Sequence, residues 1–273
     1  MDKNFSTISI LGCGWLGLPL AKYLVKQHFT VKGSTLQIEK LNQLKQAGIA
    51  PYRIELSPEI NIDFNAEFFD SDILIVNFPP KRRNDIEEFH PKQIETLINQ
   101  IHQSKIQKVL FVSSTSVYPN LNREVTEKDV LPAEKGSGKA LQIAEQMLMK
   151  EQKFETTIIR FGGLIGYDRQ PGRFLAGRKQ LKDGFAPVNL IHQDDCIGII
   201  ATIIKGNHWG KIYNACCPEH PTRKEFYEKA AQIGGFELPE FNQDKQNFKI
   251  VSSEKLTLET GYQFKYRNPT NTL

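Results

Sequence analysis

Hydrophobic residues along this chain fall into short runs that alternate between two periods, and the alternation predicts the order of elements. Ile8 to Leu11 is an apolar run of strand length, after which Leu16, Leu20, Tyr23 and Leu24 share one helical face over Trp15 to Lys26. His28 to Ser34 reads as a second strand, Ile38 to Ala47 as a helix carrying Leu41 and Leu44, and Pro51 to Leu56 as a third strand. Asp72 to Phe78 is almost continuously apolar, as expected of a parallel strand covered on both faces, and stops at Pro79-Pro80. Ile94, Leu97, Ile98 and Ile101 follow at i, i+3, i+4, i+7 spacing, a helix facing the core. Lys108 to Val112 predicts a strand, Lys139 to Lys150 a helix and Thr156 to Arg160 a further strand. Strands alternating with helices predict an α/β protein with a doubly wound parallel sheet and right-handed crossovers.

From Gly166 the texture changes. Tyr167 to Gly184 is rich in Gly and Arg and has no clear period. Val188 to Ile191 predicts a strand, and Asp194 or Asp195 is placed to cap a helix carrying Ile197, Ile200, Ile203 and Ile204. Ile212 to Asn214 reads as a strand, Thr222 starts a helix with Phe226 and Ala230, and Phe248 to Val251 precedes a helix capped from Ser253. The expected organisation is a main domain over residues 1–166 and a smaller C-terminal lobe over 167–273, with segments at about 188–215 returning to the sheet.

Composition narrows the classes. A chain of 273 residues, 40% hydrophobic and 24% charged, is an ordinary globular protein able to bury a full core. The net charge of +4 is accounted for by scattered lysines, so nucleic acid is not an expected partner. Cys13, Cys196, Cys216 and Cys217 match neither a zinc spacing nor a disulfide framework. No apolar run approaches bilayer length and Met1 to Thr7 is short and polar, so neither a membrane nor a signal peptide is expected, and the cytoplasm follows.

The chemistry begins where the first strand meets three glycines, Gly12, Gly14 and Gly17, at G-x-G-x-x-G spacing. Placed between a strand and a helix, that spacing fits a dinucleotide site in a Rossmann-type fold. Gly12 makes the tight turn, Gly14 lets the backbone approach a pyrophosphate, and Gly17 lets helix pack on strand. The first helical N–H groups, around Trp15 and Leu16, face the phosphates.

Several further segments, taken in order, resemble the extended short-chain dehydrogenases/reductases, which include the NAD(P)-dependent nucleotide-sugar epimerases and dehydratases. They are Glu55-Leu56, Ser113-Ser114-Thr115-Ser116-Val117-Tyr118, Ile159-Arg160-Phe161-Gly162-Gly163-Leu164-Ile165-Gly166, and Asn189-Leu190-Ile191-His192-Gln193-Asp194-Asp195. The resemblance spans nearly the whole chain. It implies that Leu56 lies by the adenine, that Asn77, Phe78 and Pro79 border the ribose and pyrophosphate, and that Ser113 and Gly163 belong to the cofactor's surroundings. Ser114 falls on the catalytic Ser/Thr position, where a hydroxyl holds the substrate oxygen; the structural reading is a strand-end serine satisfying loop backbone. Where NAD-preferring relatives place an acid, this chain has Gly33, Ser34 and Thr35. A carboxylate would repel a 2′-phosphate and two hydroxyls can donate to it, so NADP is expected, with NAD as the alternative and Lys32 or Lys40 as sources of charge. The other reading makes Ser34 and Thr35 caps of the next helix.

The departure concerns proton transfer. The family's Tyr-x-x-x-Lys puts a phenol and an ammonium one helical turn apart, but aligning Ala144 to Leu148 on the family's helix places Ser137 and Leu141 there. No tyrosine occurs between Tyr118 and Tyr167. The chain therefore resembles the atypical members that lack the motif. Tyr118 is a candidate replacement phenol, against a packing role, and His192 a candidate against a structural histidine. Lys135 and Lys139 read as a solvated helix start. Among two basic clusters, Lys81-Arg82-Arg83 and Arg169 to Arg178, Arg82 and Arg173 are candidate contacts to an anionic, nucleotide-linked small-molecule substrate, or solvated surface charge. The expectation is an NADP(H)-binding oxidoreductase or epimerase/dehydratase-like enzyme, monomeric or homodimeric. The alternative is a non-catalytic NADP(H)-binding sensor or interaction protein.

Overall fold

The structure is a computed structural model that describes residues 6–58, 66–243 and 246–273, so Met1 to Phe5 of the predicted polar N-terminal stretch lie outside the described residues. In chain order the elements begin with β1 (Thr7–Leu11), α1 (Gly17–Lys26), β2 (Thr30–Thr35), α2 (Glu39–Gln46), β3 (Ala50–Arg53), α3 (Ala66–Phe69) and β4 (Ile73–Val76). They continue with α4 (Ile86–His102), β5 (Lys108–Ser114), β6 (Glu124–Val125), α5 (Gly136–Met149), β7 (Glu155–Phe161) and β8 (Gly163–Ile165). The last are α6 (Gly172–Leu175), β9 (Leu190–His192), α7 (Gln193–Lys205), β10 (Ile212–Ala215), α8 (Arg223–Ile233), β11 (Ile250–Val251) and α9 (Glu254–Thr260).

Seven strands form one sheet in the order β10-β7-β5-β4-β1-β2-β3. β1 lies between β2 and β4 in parallel, with Ile8 opposite Val31 on one side and Ile73 on the other. The N–H of Ile158 donates to Lys211 C=O and that of Gly162 to Ala215 C=O, a constant offset that marks β7 and β10 as parallel too. This is the predicted doubly wound sheet. Its strand order reverses between β1 and β4, and open sheets of this kind bind ligands beyond the carboxyl ends of the strands at that point.

The chain divides into two compact units that interleave in sequence. The first comprises Met1–Ser113, Lys135–Ile159 and Ile203–Ile212, and the second Ser114–Glu134, Arg160–Thr202 and Tyr213–Leu273. The expected organisation has one boundary after Gly166 with segments at about 188–215 returning to the sheet; the units instead alternate along the chain, and the stretches that leave β5, β7 and β10 belong to the second. In the first unit Ile10, Leu20, Leu24, Ile94, Leu97 and Ile101 are fully buried. The second has its own small core of Ile165, Val188, Leu190 and Phe226, with Tyr227 and Leu273 packed on it. Among the described residues no helix is long and apolar enough to cross a membrane.

Two predicted helix starts differ from their expected form. Thr222 does cap α8, in a reciprocal capping box with Glu225. Ser253 precedes α9, but its hydroxyl is spent elsewhere, accepting from Cys216 N–H at 2.8 Å and donating to Cys216 C=O at 3.1 Å. α7 starts at Gln193, which puts Asp194 and Asp195 inside its first turn. Asp195 instead accepts from the Tyr262 hydroxyl and from the N–H groups of Lys265 and Tyr266, pinning the C-terminal stretch to the helix.

Candidate functional site

The turn after β1 is shaped by what a side chain would strike. Gly12 has φ +106°, and a Cβ there would lie 2.4 Å from the Asn77 carbonyl oxygen. At Gly17 a Cβ would lie 2.2 Å from the Gly12 carbonyl oxygen. Gly14 is different: a Cβ there meets nothing within 4 Å, so its surroundings are open. Hydrogen bonds to β2 and to Asn77 hold the loop. Gly12 N–H donates to Ser34 Oγ at 3.0 Å, Cys13 N–H to Ser34 C=O at 2.7 Å, and Asn77 Nδ2 to Gly12 C=O at 2.8 Å. α1 has no side-chain cap and no acid in its first turn, so its positive dipole end can receive an anion. Trp15 is half-buried beside it, and the Leu16 side chain is buried.

A cavity of about 250 Å³ opens beside this loop, over the carboxyl ends of β1 to β4, with apolar walls from Leu36, Ile54, Leu56, Phe78 and Pro79. Ser34, Thr35, Glu55, Lys81 and Gln93 supply its polar lining. Of the predicted cofactor residues, Gly12, Ser34, Thr35, Leu56, Phe78 and Pro79 meet around this one slot. Open space at Gly14, a helix start without a side-chain cap and an apolar-walled slot are together suited to a pyrophosphate and a heteroaromatic base.

Gly33 has another role than the one expected. β2 runs through to Thr35, so Gly33 is a strand residue and not a turn, and a Cβ there would strike Cys13 Sγ at 2.7 Å and Ile49 at 2.9 Å. Its missing side chain makes room for Cys13, whose thiol burial pushes up to about 12. Lys32 is also committed elsewhere: its ammonium donates to the carbonyls of Glu67 and Asp70. Thr35 Oγ1 accepts from Gln37 N–H, a local turn leading into α2. In the basic run after β4, Arg83 is ion-paired to Asp85 and lies over the Phe89 ring, Lys81 lines the slot, and Arg82 is exposed.

Ser113 closes the first unit's share of β5. It is buried, and its hydroxyl donates to Glu145 of α5 at 2.5 Å. On the same helix Ser137 lies in the first turn, Leu141 is buried, and Lys139 pairs with Glu87 at 3.4 Å.

In the second unit Ser114 caps a single 3₁₀ turn over Thr115–Val117, its Oγ accepting from Ser116 N–H at 3.1 Å. That leaves the hydroxyl proton free to be donated. Tyr118 is buried at 2% exposure. Its hydroxyl donates to Asn214 Oδ1 at 2.8 Å and accepts from Arg160 Nη1 at 2.6 Å, while Glu127 accepts from Asn214 N–H. Burial pushes the phenol up to about 12, against the opposing pull of Arg160. So placed, the phenol is held between two buried partners. Nothing in the sequence pattern links Tyr118 to Arg160, Glu127 and Asn214; each sits on a different element.

Gly163 is exposed and donates to Asn189 C=O at 2.8 Å. Arg173 is exposed and lies 5.6 Å from the Phe236 ring centroid. His192 is buried between the edges of Tyr167 and Tyr266, and its Nδ1 accepts from Asp194 N–H. Burial lowers its pKa against the opposing pull of Asp194 and Asp195.

Compared with models of protein families, the chain matches none. Protein YeeZ of Escherichia coli K12 is 33% identical over 266 residues, 96% of this chain and 97% of that protein. Among solved structures, a putative NAD-dependent epimerase/dehydratase from Methylobacillus flagellatus is 25% identical, with a TM-score of 0.72 over 98% of this chain and 96% of that one. MoeE5, solved with UDP-glucose and NAD, has a TM-score of 0.80 at 13% identity, over 98% of this chain and 96% of that one. The full-length likeness to YeeZ places this chain in the YeeZ family, and its fold is that of the NAD-dependent epimerases/dehydratases of the extended short-chain dehydrogenase/reductase type.

Proposed function

We propose that this protein binds a nicotinamide dinucleotide, NADP(H) in preference to NAD(H), and acts as an oxidoreductase or epimerase/dehydratase-like enzyme on an anionic, nucleotide-linked small molecule. The observation that carries the reading is the contrast among the three glycines: Gly12 and Gly17 are fixed by neighbouring backbone, whereas Gly14 faces open space beside an uncapped helix start. The preference for NADP rests on the slot's rim. Thr35 is its β2-end hydroxyl and Lys81 its ammonium, and the one carboxylate of the lining, Glu55, follows β3 and not β2. The substrate class is supported by MoeE5, which was solved in complex with UDP-glucose and NAD, and, within the first unit, by the exposed guanidinium group of Arg82.

The bound dinucleotide supplies hydride transfer. The chain's own residues then have three tasks. The α1 N–H groups and the glycine loop hold the pyrophosphate, the slot takes the base, and Ser114 donates its hydroxyl proton to the substrate oxygen. Ser137 and Leu141 stand in place of the family's acid–base pair, so proton-transfer help of ~10²–10⁴-fold is missing and turnover is slow.

The test is a titration of purified protein with NADPH and NADH, followed by a panel of nucleotide sugars and carbonyl compounds. NADPH binds more tightly than NADH, and Ser114→Ala removes turnover while leaving NADPH affinity unchanged. Tight NADPH binding with no turnover on any substrate points to a cofactor-dependent sensor, the reading that the buried aliphatic Leu141 favours. Failure of both nucleotides to bind below millimolar concentration overturns both readings.

A further inference from the structure

Two buried polar residues of α4 touch the slot from behind, and neither belongs to the motifs that identify it. His90 is fully buried and Gln93 is 3% exposed. They stand three residues apart and so share a helical face. Gln93 Nε2 donates to the Leu56 carbonyl at 2.6 Å, which orients the amide and turns Oε1 toward His90 Nδ1, 3.4 Å away. An amide oxygen can only accept, so Nδ1 carries the ring proton and Nε2 is bare. That nitrogen is buried and has no hydrogen-bond partner among the described residues. Such a group is costly to keep in a core that an aliphatic side chain would fill more cheaply. The His90 ring also meets the edge of Phe78, centroids 5.4 Å apart at 72°. Leu56 and Phe78 are two walls of the slot.

We propose that His90 and Gln93 form a positioning pair for the base-binding end of the slot, setting the Leu56 wall through a hydrogen bond and the Phe78 wall through ring contact. The tether on the Leu56 carbonyl fixes the peptide plane between Leu56 and Ser57, so the polar edge offered to a bound base is fixed as well. The pair then governs affinity for the adenine portion of the dinucleotide and leaves its nicotinamide portion alone. This deepens the dinucleotide reading and rests on it.

The experiment compares the affinities of NADPH, AMP and nicotinamide mononucleotide for the unaltered protein, Gln93→Leu and His90→Phe, followed by quenching of tryptophan fluorescence and checked against thermal midpoints. Gln93→Leu weakens NADPH and AMP about tenfold, an effect the size of one buried hydrogen bond, and leaves the mononucleotide unchanged. His90→Phe keeps the ring edge against Phe78, loses the N–H, and weakens the adenine nucleotides by a smaller factor. A folded Gln93→Leu protein that binds AMP and NADPH as before overturns the proposal, and so does an equal loss on all three ligands. If the unaltered protein binds none of them, the dinucleotide reading itself falls and takes this proposal with it.

Discussion

After β1 the chain turns where glycines clear space for neighbouring backbone; after β5 it turns where side chains are spent as hydrogen-bond partners. In Gly12 to Gly17 the constraints are a positive φ, two approaches that no Cβ survives, and one open position. In Ser114 to Tyr118 they are a hydroxyl capping a 3₁₀ turn and a phenol held by Arg160 and Asn214. The glycines of the first turn fall within six consecutive residues, although they close against Ser34 and Asn77. The phenol of the second depends on a partner 42 residues away and another 96 away. A glycine pattern therefore announces what it does, whereas a tyrosine of the right kind at the right strand end does not say whether its hydroxyl is free.

Substitutions can break that contrast. The largest effect is expected at Gly17→Val, where a Cβ would sit against the Gly12 carbonyl. The loss is about 3 kcal/mol or more in urea unfolding, or no folded protein at all. Near-unaltered stability there would mean that the loop is pliable and the glycine spacing incidental. Gly14→Val should instead fold with its unfolding midpoint close to the parent's and lose NADPH affinity by about a hundredfold, ~2.7 kcal/mol. Unchanged binding in that variant would remove the glycine loop from the site. Tyr118→Phe comes last. Stripping Arg160 and Asn214 of a shared buried partner costs about 1–3 kcal/mol in unfolding free energy, with turnover per folded molecule retained. A variant that keeps its stability and loses turnover would return Tyr118 to catalysis.

Most of the sheet was legible because its strands are apolar runs broken by glycine or proline, and β4 between Asp72 and Pro79 is the clearest case. Strand ends were read less well. Gly33 resembles a turn by composition, yet it lies inside β2, where Cys13 and Ile49 occupy the volume a side chain would need. Ser253 carried a capping signal that local sequence cannot tell from a hydroxyl bonded to Cys216, 37 residues away. His90 and Gln93 left a usable trace: they precede Ile94 and Leu97 by one helical turn, on the stripe that the hydrophobic period marks as buried. Polar residues on such a stripe must be paired, and here the pairing leads to the slot. What no periodicity encodes is the Tyr118, Arg160, Glu127 and Asn214 cluster, since each member is set by the fold and not by its neighbours in the chain.

The return of the chain to its own sheet has a consequence for synthesis. Strand β7, residues 155–161, lies beside β5, and β10, residues 212–215, lies on the outer side of β7, so this flank of the sheet is made long after β1 to β4. A growing chain can form the glycine turn and pair β1, β2 and β3 while most of the protein is still unmade, but the sheet stays open on the β5 side until β7 and β10 emerge. Its unpaired edge is exposed for seconds at ordinary translation speed, and parallel pairings of this range close slowly. Fragments ending near Gly166 should therefore lack β10 and expose the apolar strand β7 as an edge, so this fold is completed late and from its carboxyl-terminal half.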